Sequence, residues 1–309
     1  MTVRDINEQL LYERYPRVLR ELLKDQTTKE SILWATDDYA HLGLTHAAHS
    51  HITPESITGR FAGVISPRVM KPAALKSSRT KAKAEVFTPS WLCNAQNSLI
   101  DDVWFGRKFV FNKPIEKGWR TTKNPVSFAV KGSKTWQRYV DERRLEITCG
   151  EAPYLVSRYD VTTGKPITLS RRIGLLDRKM RVVGENTRSE EEWLKWAERA
   201  FQSVYGFEFQ GDSLLLAREN LLASYRDYMR TSLKRNPTAV ELKRIAHIIS
   251  WNIWQMDAFT GTIPYKAAPQ LNQQAELFNA NVETSGEPCR IRDWRAKKTT
   301  TYLALISES

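Results

Sequence analysis

The 309 residues carry 41% hydrophobic and 27% charged side chains, an ordinary balance for a chain that folds around a buried core. No apolar run approaches the roughly 18 residues a membrane span needs, the N-terminal segment is too polar for a secretory signal, and three scattered cysteines without a CxxC pair suit reduced thiols in a cytoplasmic setting. The formal net charge of +12 favours a polyanionic partner, without separating DNA from RNA or anionic lipid.

Ile6, Leu10, Leu11, Val18, Leu19, Leu22 and Leu23 follow a helical period broken at Pro16, which predicts one or two short amphipathic helices over residues 4–24. His41, His46, His49 and His51 come next; their spacing fits no standard zinc pattern, and no metal is assigned to them. Residues 60–83 hold seven lysines and arginines and no acid, and read as loop. Residues 1–83 are therefore expected to be a helical, basic N-terminal region, with the main domain over 84–309. A helix is predicted over residues 91–104, ending at Gly106.

Residues 104–144 interleave aromatic side chains with eleven lysines and arginines against three acids. Such an insertion suits nucleic acid, because cations neutralise phosphates and aromatic rings stack on unpaired bases; the competing reading is core tryptophans beneath a solvated charged face. Lys117, Arg120 and Lys123 are the contact candidates here. Arg171 and Arg172 are candidates in the basic amphipathic stretch 169–181, which could equally pack by Ile173, Leu176 and Met180. From residue 145 the pattern alternates: strand 145–149, helix 193–203, strand 204–209, helices 214–229 and 239–249, strand 252–256. That order implies a parallel sheet with crossover helices. His247 falls in an apolar helix and reads as a packed histidine.

Three of those strands end in chemistry-bearing turns. Glu146-Ile147-Thr148-Cys149-Gly150-Glu151-Ala152 is a strand running into a glycine turn, where backbone amides can approach a ligand beyond the carboxyl end of the sheet. Glu208 and Asp257 end the next two strands, and an acid at such a place can hold the ribose hydroxyls of an adenosine.

With these motifs the chain resembles the amino-type (N6-adenine) DNA methyltransferases of bacterial restriction–modification systems. Glu85-Val86-Phe87-Thr88-Pro89 is similar to the family's N-terminal G-x-[FY]-[FY]-T-P motif, Glu146 to Leu155 to its D-P-A-C-G-S-G-x-F-L loop, and Ala217 to Leu222 to its A-R-x-N-L helix. The resemblance implies an α/β fold, a Rossmann-like methyltransferase sheet. It also implies S-adenosylmethionine (SAM) as cofactor, held by Phe87, Thr88, Pro89, Glu146, Cys149, Gly150, Glu208 and Asp257. DNA is the implied partner, in restriction or a related defence complex. The family's catalytic [DNS]-P-P-[YFW] tetrapeptide has no counterpart, since the sequence contains no Pro-Pro dipeptide. Asp293 beside Trp294, at the end of an expected fourth strand, is the candidate acid–aromatic replacement. The alternatives are a DNA-binding subunit without catalysis and an RNA methyltransferase of the same fold.

Overall fold

The computed structural model describes residues 7–73, 76, 79, 88–132, 134–265 and 286–307. Phe87, with the Glu85 and Val86 that precede it, lies outside the described residues.

Two short helices open the chain, α1 (Glu8–Arg14) and α2 (Pro16–Leu23). Asn7 caps the first through its side chain, and Pro16 starts the second at a position that needs no backbone donor. After a single-turn α3 (Pro54–Ile57), α4 (Ser90–Phe105) runs to Gly106, which adopts the left-handed conformation that stops it. The hairpin β1 (Asn112–Ile115) and β2 (Gly118–Thr121) follows, then α5 (Trp136–Asp141) and β3 (Arg144–Glu146). The alternating part is α6 (Leu175–Asn186), α7 (Glu190–Gln202), β4 (Val204–Glu208), α8 (Gly211–Leu233), α9 (Ala239–Asn252) and β5 (Ile253–Gln255). A second hairpin, β6 (Arg290–Asp293) with β7 (Lys298–Thr301), and α10 (Tyr302–Ser307) complete the described elements.

Strands β3, β4 and β5 form a parallel three-stranded sheet in that order, the arrangement the alternation predicts. The expected fourth strand does form at β6, but it pairs antiparallel with β7 in a separate two-stranded sheet. The architecture is thus mixed α/β with small sheets.

One face of the parallel sheet packs on the helices, through Val204 and Ile253 with Leu214, Ala217 and Ile249. The other face carries Phe207 and Trp254, covered by Cys289 and Ile291 and flanked by Tyr302. The N-terminal helices share the main core: Val18, Leu19, Leu22 and Trp34 belong to the cluster built on α8 and α9. Arg218, fully buried on α8, fixes that junction by donating to the carbonyls of Leu22 (2.5 Å), Lys24 (3.0 Å) and Ile253 (2.7 Å). No described helix is long and apolar enough to cross a membrane.

Candidate cofactor crevice and basic groove

The carboxyl ends of the three parallel strands converge on one corner. Glu146, at the end of β3, turns its carboxylate back to accept the amides of Tyr154 (3.3 Å) and Leu155 (3.1 Å). Burial pushes this carboxyl up to about 8; the two amides oppose the shift and the charge of Glu208 adds to it. Between those anchors Thr148, Gly150 and Ala152 all adopt positive φ, at 46°, 52° and 61°. These positive-φ residues bend the loop tightly, its Cys149, Gly150 and Ala152 amides being taken by the Phe207 carbonyl (2.8 Å), the Glu208 carboxylate (2.9 Å) and the Cys149 carbonyl (2.7 Å), and for β-branched Thr148 that conformation is strained.

Glu208 joins this loop to β4. Its two carboxylate oxygens accept the amides of Gly150 (2.9 Å) and Gln210 (3.1 Å). Gly211 then lets the chain pass under residue 33, because a Cβ there would lie 1.9 Å from the Leu33 carbonyl oxygen. The Gln255 side chain accepts from the Leu33 amide (2.8 Å) and donates to the carbonyls of Leu33 (2.9 Å) and Phe209 (2.8 Å). Residues 33–34 therefore seal the β4–β5 side of the corner, and Glu208 and Gly150 mark its β3–β4 side. Asp257 stands just past β5, half-buried, accepting the amide of Phe259 (2.8 Å), whose ring is wholly exposed.

The remaining members of the expected site fall around this corner. Pro89 caps α4, whose first amide, Ser90, donates to Asp160 (2.8 Å). The Thr88 carbonyl accepts from the Cys93 thiol (3.5 Å). Cys149 is buried, and burial raises its thiol well above the ordinary value, which makes it an inert packing group. Asn220 of α8 donates to the Glu151 carbonyl (3.1 Å) and so pins the far end of the loop.

Asp293 and Trp294 sit elsewhere. Asp293 pairs with Arg143 (2.9 Å), just before β3, and Trp294 donates to the Asn252 side chain (2.7 Å), just before β5. Both partners precede their strands, so this pair lies at the amino ends of the sheet, opposite the corner that holds Glu208. The physical reason is the pairing of β6 with β7: as an antiparallel hairpin it runs beside the sheet instead of extending it.

A groove of about 1150 Å³ opens at the other end of α8. Its walls come from β2 and the two residues after it (Arg120, Lys123), the turn before α6 (Arg171, Arg172), α6 itself (Arg181) and the end of α8 (Lys234). Arg120, Lys123 and Arg171 are exposed, and none pairs with a carboxylate among the described residues. The guanidinium of Arg171 lies 5.6 Å from the Trp119 ring, and the Trp119 indole donates to the Arg171 carbonyl (2.9 Å). Arg172 differs: it is buried and paired with Asp227 (2.7 Å), which also holds Arg158 (2.5 Å). Its role is structural. Lys117 is exposed at the tip of the β1–β2 hairpin, outside the groove lining.

Most of the aromatic half of the insertion belongs to the core, although Phe109 is exposed. Trp104, Phe105, Phe111, Phe128 and Tyr139 contact one another with ring centroids 4.7 to 6.2 Å apart, so they are not a platform for bases. Ile173, Leu176 and Met180 are buried too, while Arg171 stays outside. Two of these histidines are structural: His46 is buried with Nε2 at 2.9 Å from the Ser56 carbonyl oxygen, and His51 lies 2.5 Å from that of Ser31. His247 is exposed, against expectation, and pairs with Glu21 (2.7 Å). Among the described residues no three His, Cys, Asp or Glu side chains are grouped to hold a metal ion.

One centre has no counterpart in the sequence reading. Asp212, in the first turn of α8 and wholly buried, accepts from Tyr39 (2.8 Å), Lys71 (2.5 Å) and Arg79 (2.8 and 2.9 Å). Arg79 also reaches Asp38 (3.2 Å). Burial opposes the charge of Asp212, and the two cations more than offset it, holding the carboxyl well below its usual range. The available signal was the acid-free run of cations in residues 60–83, whose counter-ion lies far along the chain.

Compared with known proteins, the chain matches no family model, no curated protein and no solved structure.

Proposed function

We propose that this chain binds SAM in the corner formed by Glu146, Gly150, Glu208 and Asp257, and that it serves methylation of adenine N6 in DNA held along the basic groove. The supporting observation is the convergence of those four residues from successive parallel strands in chain order. Glu208 offers a carboxylate whose plane is fixed by two backbone amides, suited to a ribose diol, and Asp257 an acceptor for an adenine amino group. When bound, SAM supplies an electrophilic methyl group. The residues around it orient the cofactor, and the groove cations neutralise phosphates. From Gly211 to Lys234, α8 separates corner and groove by roughly 35 Å at about 1.5 Å per residue, so the groove suits DNA flanking the target and not the target base. Three buried, unbridged cysteines agree with a cytoplasmic restriction or defence assembly.

A second reading is favoured by the place of Asp293 and Trp294. With that pair at the amino ends, and no Pro-Pro turn in the sequence, these residues present no acid–aromatic acceptor of the family's form. The chain would then hold cofactor and DNA while another polypeptide completes catalysis. Incubation of DNA with labelled SAM and the purified protein, followed by nucleoside mass spectrometry, separates the readings. Labelled N6-methyladenine means the chain acts alone; none, with SAM bound in calorimetry, means a binding subunit. No SAM binding at millimolar concentration refutes both.

A further inference from the structure

We infer that the outward face of the β6–β7 hairpin, with Lys24 and Lys29 beside it, is a second phosphate-binding surface, which holds the backbone of a nucleic acid apart from the groove. It shares its partner with the reading above and needs neither the cofactor corner nor the groove.

Strand register sets the first half of this surface. Arg290 lies opposite Thr301 and Arg292 opposite Thr299, so these four side chains share one face, while Ile291 turns into the core on the other. Thr27 ties the turn after α2 to the hairpin, its hydroxyl accepting the Arg290 amide (2.9 Å). From that turn the Lys29 ammonium reaches to 4.5 Å from the centre of the Trp251 ring. The Arg292 guanidinium lies 5.8 Å from the same ring and 4.8 Å from that of Trp294. Cations from two distant segments thus meet at one indole near the end of α9.

The cations gathered here lack counter-ions. Lys24, Lys29, Arg290 and Arg292 pair with no carboxylate among the described residues. The Arg292 side chain makes no hydrogen bond there either, and its Nε is buried without an acceptor. The acids nearby are engaged: Asp25 accepts the amides of Thr27 (3.0 Å) and Thr28 (2.7 Å), Glu21 holds His247, and Asp293 holds Arg143. Partial burial lowers the Lys29 ammonium below its ordinary value; Lys24 and Arg290 lower it further, against the opposing charges of Asp25 and Glu21. Like charges held this close repel, and an anion between them relieves the repulsion. Packed on two indoles, the Arg292 guanidinium is already in place to meet one.

A phosphate backbone fits this face best. Arg290 and Arg292 stand two strand residues apart, roughly 7 Å, close to the step between successive phosphates of one strand. The Thr299 and Thr301 hydroxyls alongside can donate to phosphate oxygens. None of these residues is an exposed large apolar side chain, which the centre of a protein interface or insertion into a lipid surface would need.

Fluorescence anisotropy of the full chain with a labelled 20-base-pair duplex, from 50 to 200 mM NaCl, tests the assignment. In the variant Lys24→Gln, Lys29→Gln, Arg290→Gln the slope of log affinity against log salt should become shallower by up to about 2.7, at about 0.9 per phosphate. Arg292 is kept so that its packing stays intact, and the urea midpoint should not move. Combined with Arg120→Gln, Lys123→Gln, Arg171→Gln, the two losses should add. An unchanged slope in the Lys24, Lys29, Arg290 variant overturns the inference, whatever the groove variant shows. A shallower slope there with none in the groove variant supports this surface and refutes the groove. Loss of binding to a poly-glutamate peptide or to anionic vesicles, with the duplex slope unchanged, names a different partner and overturns it. Wild-type protein that binds no duplex refutes both contacts.

Discussion

Joint replacement of Arg120, Lys123 and Arg171 by glutamine tests the groove most directly. All three are exposed and meet no carboxylate among the described residues, so each can release one counterion equivalent on meeting a phosphate. At about 0.9 per phosphate on duplex DNA, the slope of log affinity against log salt should become shallower by about 2.7. Over a fourfold rise, from 50 to 200 mM NaCl, the wild type should lose roughly 40-fold more affinity than the variant. Folding should hardly notice: exposed substitutions stay within about 0.5 kcal/mol, with up to about 1 kcal/mol more for the contact of Arg171 with Trp119. Fluorescence anisotropy with a labelled 20-base-pair duplex across that salt range measures both slopes. Arg172 is left out because its loss would break the Asp227 pair and confuse binding with stability. An unchanged slope in the triple variant refutes the groove as the phosphate site.

Asp212→Asn should leave Lys71 and Arg79 buried with a weakened counter-ion and destabilise the fold by about 3–5 kcal/mol in urea unfolding; a loss below about 1 kcal/mol contradicts the network. Its folded carboxyl is depressed from 3.8, so that stabilisation is present above about pH 4 and is lost as pH falls below it. Glu146 works the other way. With its carboxyl raised from 4.5 to about 8, its contribution is full below 4.5 and lost as pH rises through about 8, and Glu146→Gln should flatten urea midpoints across that window. Glu208→Ala should weaken SAM binding by about 1.5–3 kcal/mol in calorimetry; equal affinity removes Glu208 from the site.

The parallel core was legible because its signals are local. Val204 through Glu208 is an apolar run bounded by helical periods, Pro16 and Gly106 punctuate helices by their own geometry, and parallel pairing follows from crossover connections. Pairing choice was not legible at β6: Arg290–Asp293 reads as a strand either way, and its return by β7 after a tight turn decides for a hairpin. Aromatic function was also hidden. Trp119 and Phe111 look alike between cations, and only tertiary packing shows both buried, one beneath Arg171 and one among rings. Thr88, Glu146, Gly150 and Glu208 were read as motifs, but the Gly150 amide that helps fix the Glu208 carboxylate comes from 58 positions away and leaves no mark in composition.

Net charge illustrates the same limit and shows where the useful information lies. The sequence offers three basic stretches, 60–83, 104–144 and 169–181, and its +12 adds them without distinction. Folding separates them. Lys71 and Arg79 turn inward to Asp212, so part of the first stretch supports the start of α8 and presents those charges to no partner. Arg172, Arg178 and Arg181 are likewise engaged, by Asp227, Asp101 and Glu185. A cation already paired has exchanged its hydration for a carboxylate and gains little from a phosphate. Among the cations left without a carboxylate, Arg120, Lys123 and Arg171 are brought from separate segments to one groove. Their convergence, and not the total, is the physical basis for proposing a DNA contact there.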